Sequence, residues 1–218
     1  MMHLIVLLAL AGSASISPTP SNPGAVVRAA TVQGRITTTP SPAKRVANRY
    51  VGAASPAKQQ SLPVIVFLRG AGLPAARGAA KPQIMTQRDT VFSPSFLIVP
   101  RGSSVGFQNL DPFYHNVFSY SKAKRFDLGR FPKPESKSIS FDKVGAIDVF
   151  CEIHSSMRAV VLVTDNDFHA ELQPDGSYSL PGVPAGRYEL VVWHPDRGQK
   201  VVPITVPASG VLTINSSI

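Results

Sequence analysis

From Gln83 to Thr164 the chain runs in short alternating segments parted by turn formers, with no helical period anywhere in the stretch. The segments are Ile84–Arg88, Phe96–Val99, Ser104–Asn109, Asn116–Tyr120, Ser136–Phe141, Ala146–Cys151 and Arg158–Thr164. Ser93-Pro94, Pro100-Arg101-Gly102, Asp111-Pro112, Pro132-Lys133-Pro134 and Lys143-Val144-Gly145 separate them. Apolar side chains at every second position can be buried only on one face of a strand. Many short strands at regular spacing predict a β-sandwich.

The C-terminal part carries a second pattern of the same kind. Asp175-Gly176 and Ala185-Gly186 are turn formers. Tyr178–Leu180, Tyr188–Trp193, Val201–Val206 and Val211–Asn215 read as strands. Along Tyr188–Trp193, Tyr188, Leu190 and Val192 fall on one side, and Glu189, Val191 and Trp193 on the other. A second small β-sandwich is expected. Ahead of Gln83, Thr31–Thr37 and Pro63–Leu68 also read as strands, set between Pro-, Ser- and Ala-rich stretches at 38–61 and 71–82.

The N-terminus reads as an export signal over residues 1–14. An apolar run, Leu4 to Ala11, leads into Gly12, Ser13, Ala14 and Ser15. That run is too short to span a bilayer, and no later stretch is long and apolar enough to do so. Residues 15–30 read as a disordered lead-in. A periplasmic or otherwise exported protein without an integral membrane segment is expected. The net charge is +9, concentrated in front: the first 101 residues hold eleven Lys or Arg against one acid, Asp89. A basic front suits acidic partners or anionic surfaces. Export and the lack of a nucleic-acid motif exclude nucleic acid as the partner.

Export gives weight to Cys151, the single cysteine. Outside the cytoplasm cysteines are paired, and a lone thiol is exposed to oxidation. A buried, inert thiol in the strand Val149-Phe150-Cys151 is the plain explanation. It is displaced by the company Cys151 keeps, Cys151-Glu-Ile-His154-Ser-Ser-Met157, with His115 on an upstream strand. Two imidazoles, one thiolate and one thioether are the ligand set of a blue-copper electron-transfer site, a trigonal His₂Cys plane with a weak axial Met. A loop of five residues between Cys151 and Met157 presents three of the ligands from one direction.

Asn109-Leu-Asp-Pro-Phe-Tyr-His115-Asn116-Val117 and Val149-Phe-Cys151-Glu-Ile-His154-Ser-Ser-Met157 resemble the cupredoxins, the plastocyanin and amicyanin family. The resemblance covers about residues 83–164. It implies a Greek-key β-sandwich, with His115, Cys151 and His154 as equatorial copper ligands and Met157 as the axial one. It implies that Asn116 holds the ligand loop by hydrogen bonds. Gln87-Arg-Asp, Phe92-Ser-Pro94 and Lys124-Arg-Phe-Asp127 resemble methylamine-utilisation-type, plastocyanin-like periplasmic proteins. Asp175-Gly to Pro184-Ala-Gly186-Arg-Tyr188 resembles a carboxypeptidase-regulatory-like domain of transthyretin-like architecture. In that family an opening strand like Val32-Gln-Gly34 and one like Val64–Leu68 precede the Asp-Gly hairpin. The expected chain is therefore all-β, with a cupredoxin domain at 83–164 inserted into a second sandwich made of 31–70 and 165–218.

The expected function is the carriage of single electrons between larger redox proteins, such as a cytochrome or a periplasmic oxidoreductase, by a protein that is not itself an enzyme. Copper is the expected cofactor, one per chain, with His154 nearest the surface. Copper storage or delivery is the alternative, disfavoured because Met85 is the only other methionine past the signal. A non-redox interaction module is the third reading. His169, His194 and Trp193 read as packing or turn residues. Phe113 and Tyr114 read as a collar about the site, and Glu152 as solvent-facing. Lys122, Lys124 and Arg125 are candidates for docking an acidic partner, though an ordinary solvated loop explains them equally well.

Overall fold

A computed structural model describes residues 29–39, 62–78 and 81–218. The expected signal, most of the lead-in and most of the 38–61 loop lie outside the described residues. All regular structure among the described residues is β, and no helix among them is long and apolar enough to cross a membrane. Two strands come first, β1 (Ala29–Thr37) and β2 (Ile65–Arg69). Nine follow: β3 (Gln83–Arg88), β4 (Val91–Ser93), β5 (Phe96–Pro100), β6 (Ser104–Asn109), β7 (His115–Tyr120), β8 (Arg125–Phe131), β9 (Ser136–Ser140), β10 (Gly145–Phe150) and β11 (Arg158–Thr164). Six more complete the chain: β12 (His169–Glu171), β13 (Ser177–Pro184), β14 (Gly186–His194), β15 (Gly198–Val206), β16 (Gly210–Thr213) and β17 (Ser216–Ser217).

The nine middle strands form two sheets, ordered β5-β11-β10-β7-β8 and β4-β3-β6-β9. Their inner faces close on one core. Met85, Phe92, Val105, Phe107, Val117, Phe131, Ile147, Val149 and Val161 are buried there, and Cys151 and Met157 sit in the same cluster. The remaining strands form the sheets β13-β1-β16, extended by β17, and β12-β2-β14-β15. These enclose a second core of Val32, Ile36, Leu68, Tyr178, Leu180, Tyr188, Leu190 and Val192, among others. β2 pairs with β12 and β14, and β1 with β13, β16 and β17; neither pairs with a strand between 83 and 164. β1 runs so close to the chain after β16 that a Cβ at Gly34 would collide with the Ile214 carbonyl.

The chain leaves and re-enters this second sandwich at one place. Ala76 N–H donates to the Asp165 carbonyl at 2.7 Å, and Arg77 N–H to Asp167 Oδ2 at 3.1 Å.

β11 buries both of its faces, and β14 buries one face together with Val191 on the other. On β11, Ala159, Val161 and Val163 point into the first core, while Val160 and Leu162 point the other way and are buried as well. On β14, Tyr188, Leu190 and Val192 fill the second core, while Val191 is fully buried on the opposite side. A strand covered on both faces reads as a continuous apolar run, as Ala159–Val163 does. Two contacts show that the outer faces meet. Phe96, the β5 partner of Val160, lies 6.2 Å from Trp193 between ring centroids, and Arg158 binds Asp196.

Four strands escape the sequence pattern. β8 alternates but is mostly exposed at the edge of its sheet, so no apolar run marks it. β4, β12 and β17 have two or three residues each, too short to show a period. Cys151 lies just beyond β10, the strand it was expected to end.

Candidate metal centre

β10 and β7 are neighbours in the sheet, with Phe150 opposite Phe118. That pairing carries the start of β7, where His115 is fully buried, to the end of β10, where Cys151 follows. The loop 151–157 then turns back, closed by the Met157 N–H donating to the His154 carbonyl at 3.0 Å. The result gathers three donors. His115 Nδ1 lies 3.8 Å from Cys151 Sγ, His154 Nδ1 lies 3.9 Å from Cys151 Sγ, and the two Nδ1 atoms are 3.1 Å apart. Among the described residues this is the one group of three or more His, Cys, Asp or Glu whose ligand atoms lie within 4.8 Å of one another. Met157 is buried in the same apolar cluster as Cys151.

The spacing of this triangle suits a single ion. Donors 3.1 to 3.9 Å apart could be shared by one ion at metal bond lengths of about 2.0 Å to nitrogen and about 2.3 Å to sulfur. Two imidazole lone pairs facing each other at 3.1 Å repel unless a cation or proton lies between them. Soft sulfur together with imidazole favours a transition metal over Mg²⁺ or Ca²⁺.

The sequence reading missed Asp111. Asp111-Pro112 reads as a chain breaker, yet its carboxylate is buried and organises the site. Asp111 Oδ2 lies 2.8 Å from His115 Nε2, and the carboxylate also accepts the Asp89 N–H at 2.8 Å and the Thr90 N–H at 3.1 Å. Burial pushes this carboxyl up, but the hydrogen bonds from His115, Asp89 and Thr90 outweigh it and hold it below its ordinary value. An ionised carboxylate only accepts, so His115 carries its proton on Nε2 and presents a bare Nδ1 lone pair to Cys151. Asp89 and Thr90 both have positive φ, 54° and 58°, a conformation that costs a β-branched Thr in particular. The signal available in the sequence was an acid four residues before a candidate ligand, in a turn.

Asn109 and Asn116 brace the two halves. Asn109 Nδ2 donates to the Phe113 and Phe131 carbonyls at 2.8 and 3.0 Å, and its Oδ1 accepts the Asp111 N–H at 2.9 Å. Asn116 Oδ1 accepts the Glu152 N–H at 2.7 Å, tying β7 to the ligand loop, and Asn116 Nδ2 donates to Asp127 at 3.1 Å. The Glu152 carboxylate itself turns to Arg130 at 2.8 Å.

His154 is the most accessible of the four candidate ligands. Burial lowers its pKa first, the neighbouring His115 lowers it further, and Asp111 opposes both. Phe113 packs against both imidazoles, at 5.3 Å from His115 and 5.2 Å from His154. Phe113, Tyr114 and Ile153, chain neighbours of the two histidines, are 41%, 56% and 40% exposed and offer apolar surface near the site. His169 lies in β12 opposite Phe67, and His194 accepts the Asp196 N–H on Nδ1 while its Nε2 meets the Leu62 carbonyl; both sit in the second sandwich. Lys124 pairs with Asp142, and Arg125 stacks over Tyr120 at 5.6 Å.

No family model matches the chain, and no curated protein matches it. Among solved structures it is similar to a Cu-containing nitrite reductase (NirK) from Thermus scotoductus SA-01, at 23% identity and TM-score 0.37, over 42% of this chain and 25% of that one. The chain thus spans about a quarter of that reductase. It is similar to a purple cupredoxin from Nitrosopumilus maritimus, at 20% identity and TM-score 0.35, over 38% of this chain and 99% of that one. An oxidised amicyanin variant aligns at 23% identity and TM-score 0.37, over 42% of this chain and 90% of that one.

Proposed function

We propose that this protein is an exported blue-copper carrier that passes single electrons between redox proteins. Copper is held by His115, Cys151 and His154, with Met157 as the weak fourth ligand. The observation that carries this reading is the triangle of donors, 3.1 to 3.9 Å on its sides, with the His115 tautomer set by Asp111. Copper bound there would supply a one-electron couple, Cu(I) and Cu(II), in a setting that suits both.

The residues of the chain do the rest. Asp111 and Asn116 fix two donors before any metal arrives, so little rearranges when the charge changes. Burial of His115, Cys151 and Met157 shields three sides of the site from water, which suits a carrier. The electron enters and leaves at the His154 edge, where the apolar surface of Phe113, Tyr114 and Ile153 meets a donor or acceptor protein such as a cytochrome or a periplasmic oxidoreductase.

Residues 83–164 form the copper-binding domain in this reading, inserted into a transthyretin-like, carboxypeptidase-regulatory-like sandwich built from 31–70 and 165–218. The strand pairings of β1 and β2 support it.

The test is to load the mature protein with Cu(II) and record visible absorption and electron paramagnetic resonance spectra. An intense thiolate-to-copper band with narrow hyperfine splitting is expected. A colourless protein that still binds copper would replace this reading with delivery or storage, and one that binds none would leave an interaction module.

A further inference from the structure

The two ends of the ligand loop are held by different parts of the molecule. At the Cys151 end, Asn116 on β7 grips the Glu152 N–H. At the Met157 end the grip comes from Arg158, the next residue. Its Nε and Nη2 donate to Asp148 Oδ1 at 3.0 and 2.7 Å, and its Nη1 donates to Asp196 Oδ1 at 2.6 Å. Asp148 is on β10, within the same sheet. Asp196 belongs to the turn between β14 and β15, in the second sandwich. The Arg158 and Asp196 side chains are only 17% and 20% exposed, so water screens this pair weakly. Burial works against the Arg158 charge, but Asp148 and Asp196 overcome it and raise its pKa.

The Asp196 turn is itself fixed. Its N–H donates to His194 Nδ1 at 3.1 Å, and the Arg197 N–H donates to the His194 carbonyl at 3.2 Å. Beside it, Trp193 meets Phe96, which is the strand partner of Val160, two residues past Arg158. On the outer faces of the same strands, Val160 and Leu162 of β11 and Val191 of β14 are buried.

We propose that the second sandwich fixes the Met157 end of the ligand loop, with Asp196 as a positioning residue acting through Arg158. Its consequence at the metal rests on the copper reading above. The second sandwich then works as an internal buttress that sets how the fourth ligand meets the site.

The experiment uses the full chain and the variant Asp196→Ala. Arg158 keeps Asp148, so no charge is left unpaired and the fold is retained. In the metal-free protein, hydrogen exchange is followed across residues 151–160. Asp196→Ala is expected to speed exchange there by about threefold to tenfold, as loss of a partly buried ion pair loosens a local segment. Exchange in β3 and β6 stays unchanged, and Asp142→Ala, which breaks an exposed pair with Lys124, changes neither region. In the copper-loaded protein, Asp196→Ala is expected to alter the intensity ratio of the visible bands and the reduction potential, and Asp196→Glu to restore both in part. Unchanged exchange across 151–160, or altered exchange with an unaltered spectrum and potential, overturns the proposal. If the wild-type protein shows no thiolate-to-copper band, the copper reading fails and the exchange comparison alone decides whether Asp196 holds the loop.

Discussion

His115 Nε2 lies 2.8 Å from Asp111 Oδ2, and that contact turns the opposite nitrogen of the ring toward Cys151 Sγ, 3.8 Å away. One carboxylate thus decides which face of an imidazole is offered to a metal. The same carboxylate holds two left-handed residues, Asp89 and Thr90, in place. Asp111→Asn keeps the shape but replaces a charge-assisted acceptor with an amide that can be satisfied either way. Copper affinity is expected to fall by about tenfold to a hundredfold, the usual effect of losing such an outer partner. Competition with a copper chelator measures it; equal affinity would mean that the histidine orients itself without the carboxylate.

Cys151→Ala is expected to abolish the thiolate-to-copper absorption. If Met157 is the proposed axial ligand, Met157→Leu should keep the colour and shift the reduction potential, which an axial ligand tunes. Voltammetry of the two variants against wild type separates the roles. A potential unchanged in Met157→Leu would remove the thioether from the site.

Asn116→Ala removes the acceptor of the Glu152 N–H, a part-buried hydrogen bond of 2.7 Å. Thermal unfolding of the metal-free protein should report a loss of about 0.5–1.5 kcal/mol, the net worth of one hydrogen bond. Wild-type stability in this variant would show that the loop finds another acceptor.

Gly34→Ala tests the second sandwich alone. The added methyl meets the Ile214 carbonyl, and backbone cannot swing aside as a side chain can. A destabilisation of about 1–3 kcal/mol is expected from such overpacking, with the copper spectrum unchanged. Urea unfolding at two wavelengths checks the first point and a visible spectrum the second.

Acid should weaken the metal-free fold through its histidines. Burial lowers the pKa of His169 and of His194 from an ordinary 6.5; for His194 the nearby Arg197 adds to it. The folded state therefore favours the neutral rings. Their stabilisation is complete above the unfolded value and is lost as pH falls through the depressed folded values. The urea midpoint should be lower at about pH 5 than at about pH 8, and His194→Gln should flatten that slope. Equal midpoints at the two pH values would contradict the burial of these rings.

Much of this architecture was legible in the sequence because its strands are bounded by Pro and Gly and alternate strongly. Ser104–Asn109 and Arg158–Thr164 have the expected limits. β8 was hidden because an edge strand need not be apolar: Arg125, Asp127 and Arg130 line it beside Phe126 and Leu128. The candidate ligands stood out because Cys, His and Met are few and chemically particular. Asp111 did not, since its role depends on a turn that brings it back beneath His115. Val191 and Trp193 fall on the side of β14 opposite the second core, which the alternation predicts. That a second sheet covers this side could not be read, because alternation reports a strand's two faces and not what lies over them.

The hydrogen bonds from Ala76 and Arg77 to Asp165 and Asp167 have a consequence for how the chain assembles. β2 must find β12 and β14 across a gap of roughly a hundred residues, and closing so long a loop in an unfolded chain is slow. Once residues 83–164 have folded, their two ends stand side by side, and the same closure spans only a short tether. Folding of the middle of the chain thus prepares the pairing of its outer parts, and the split sandwich is expected to form last.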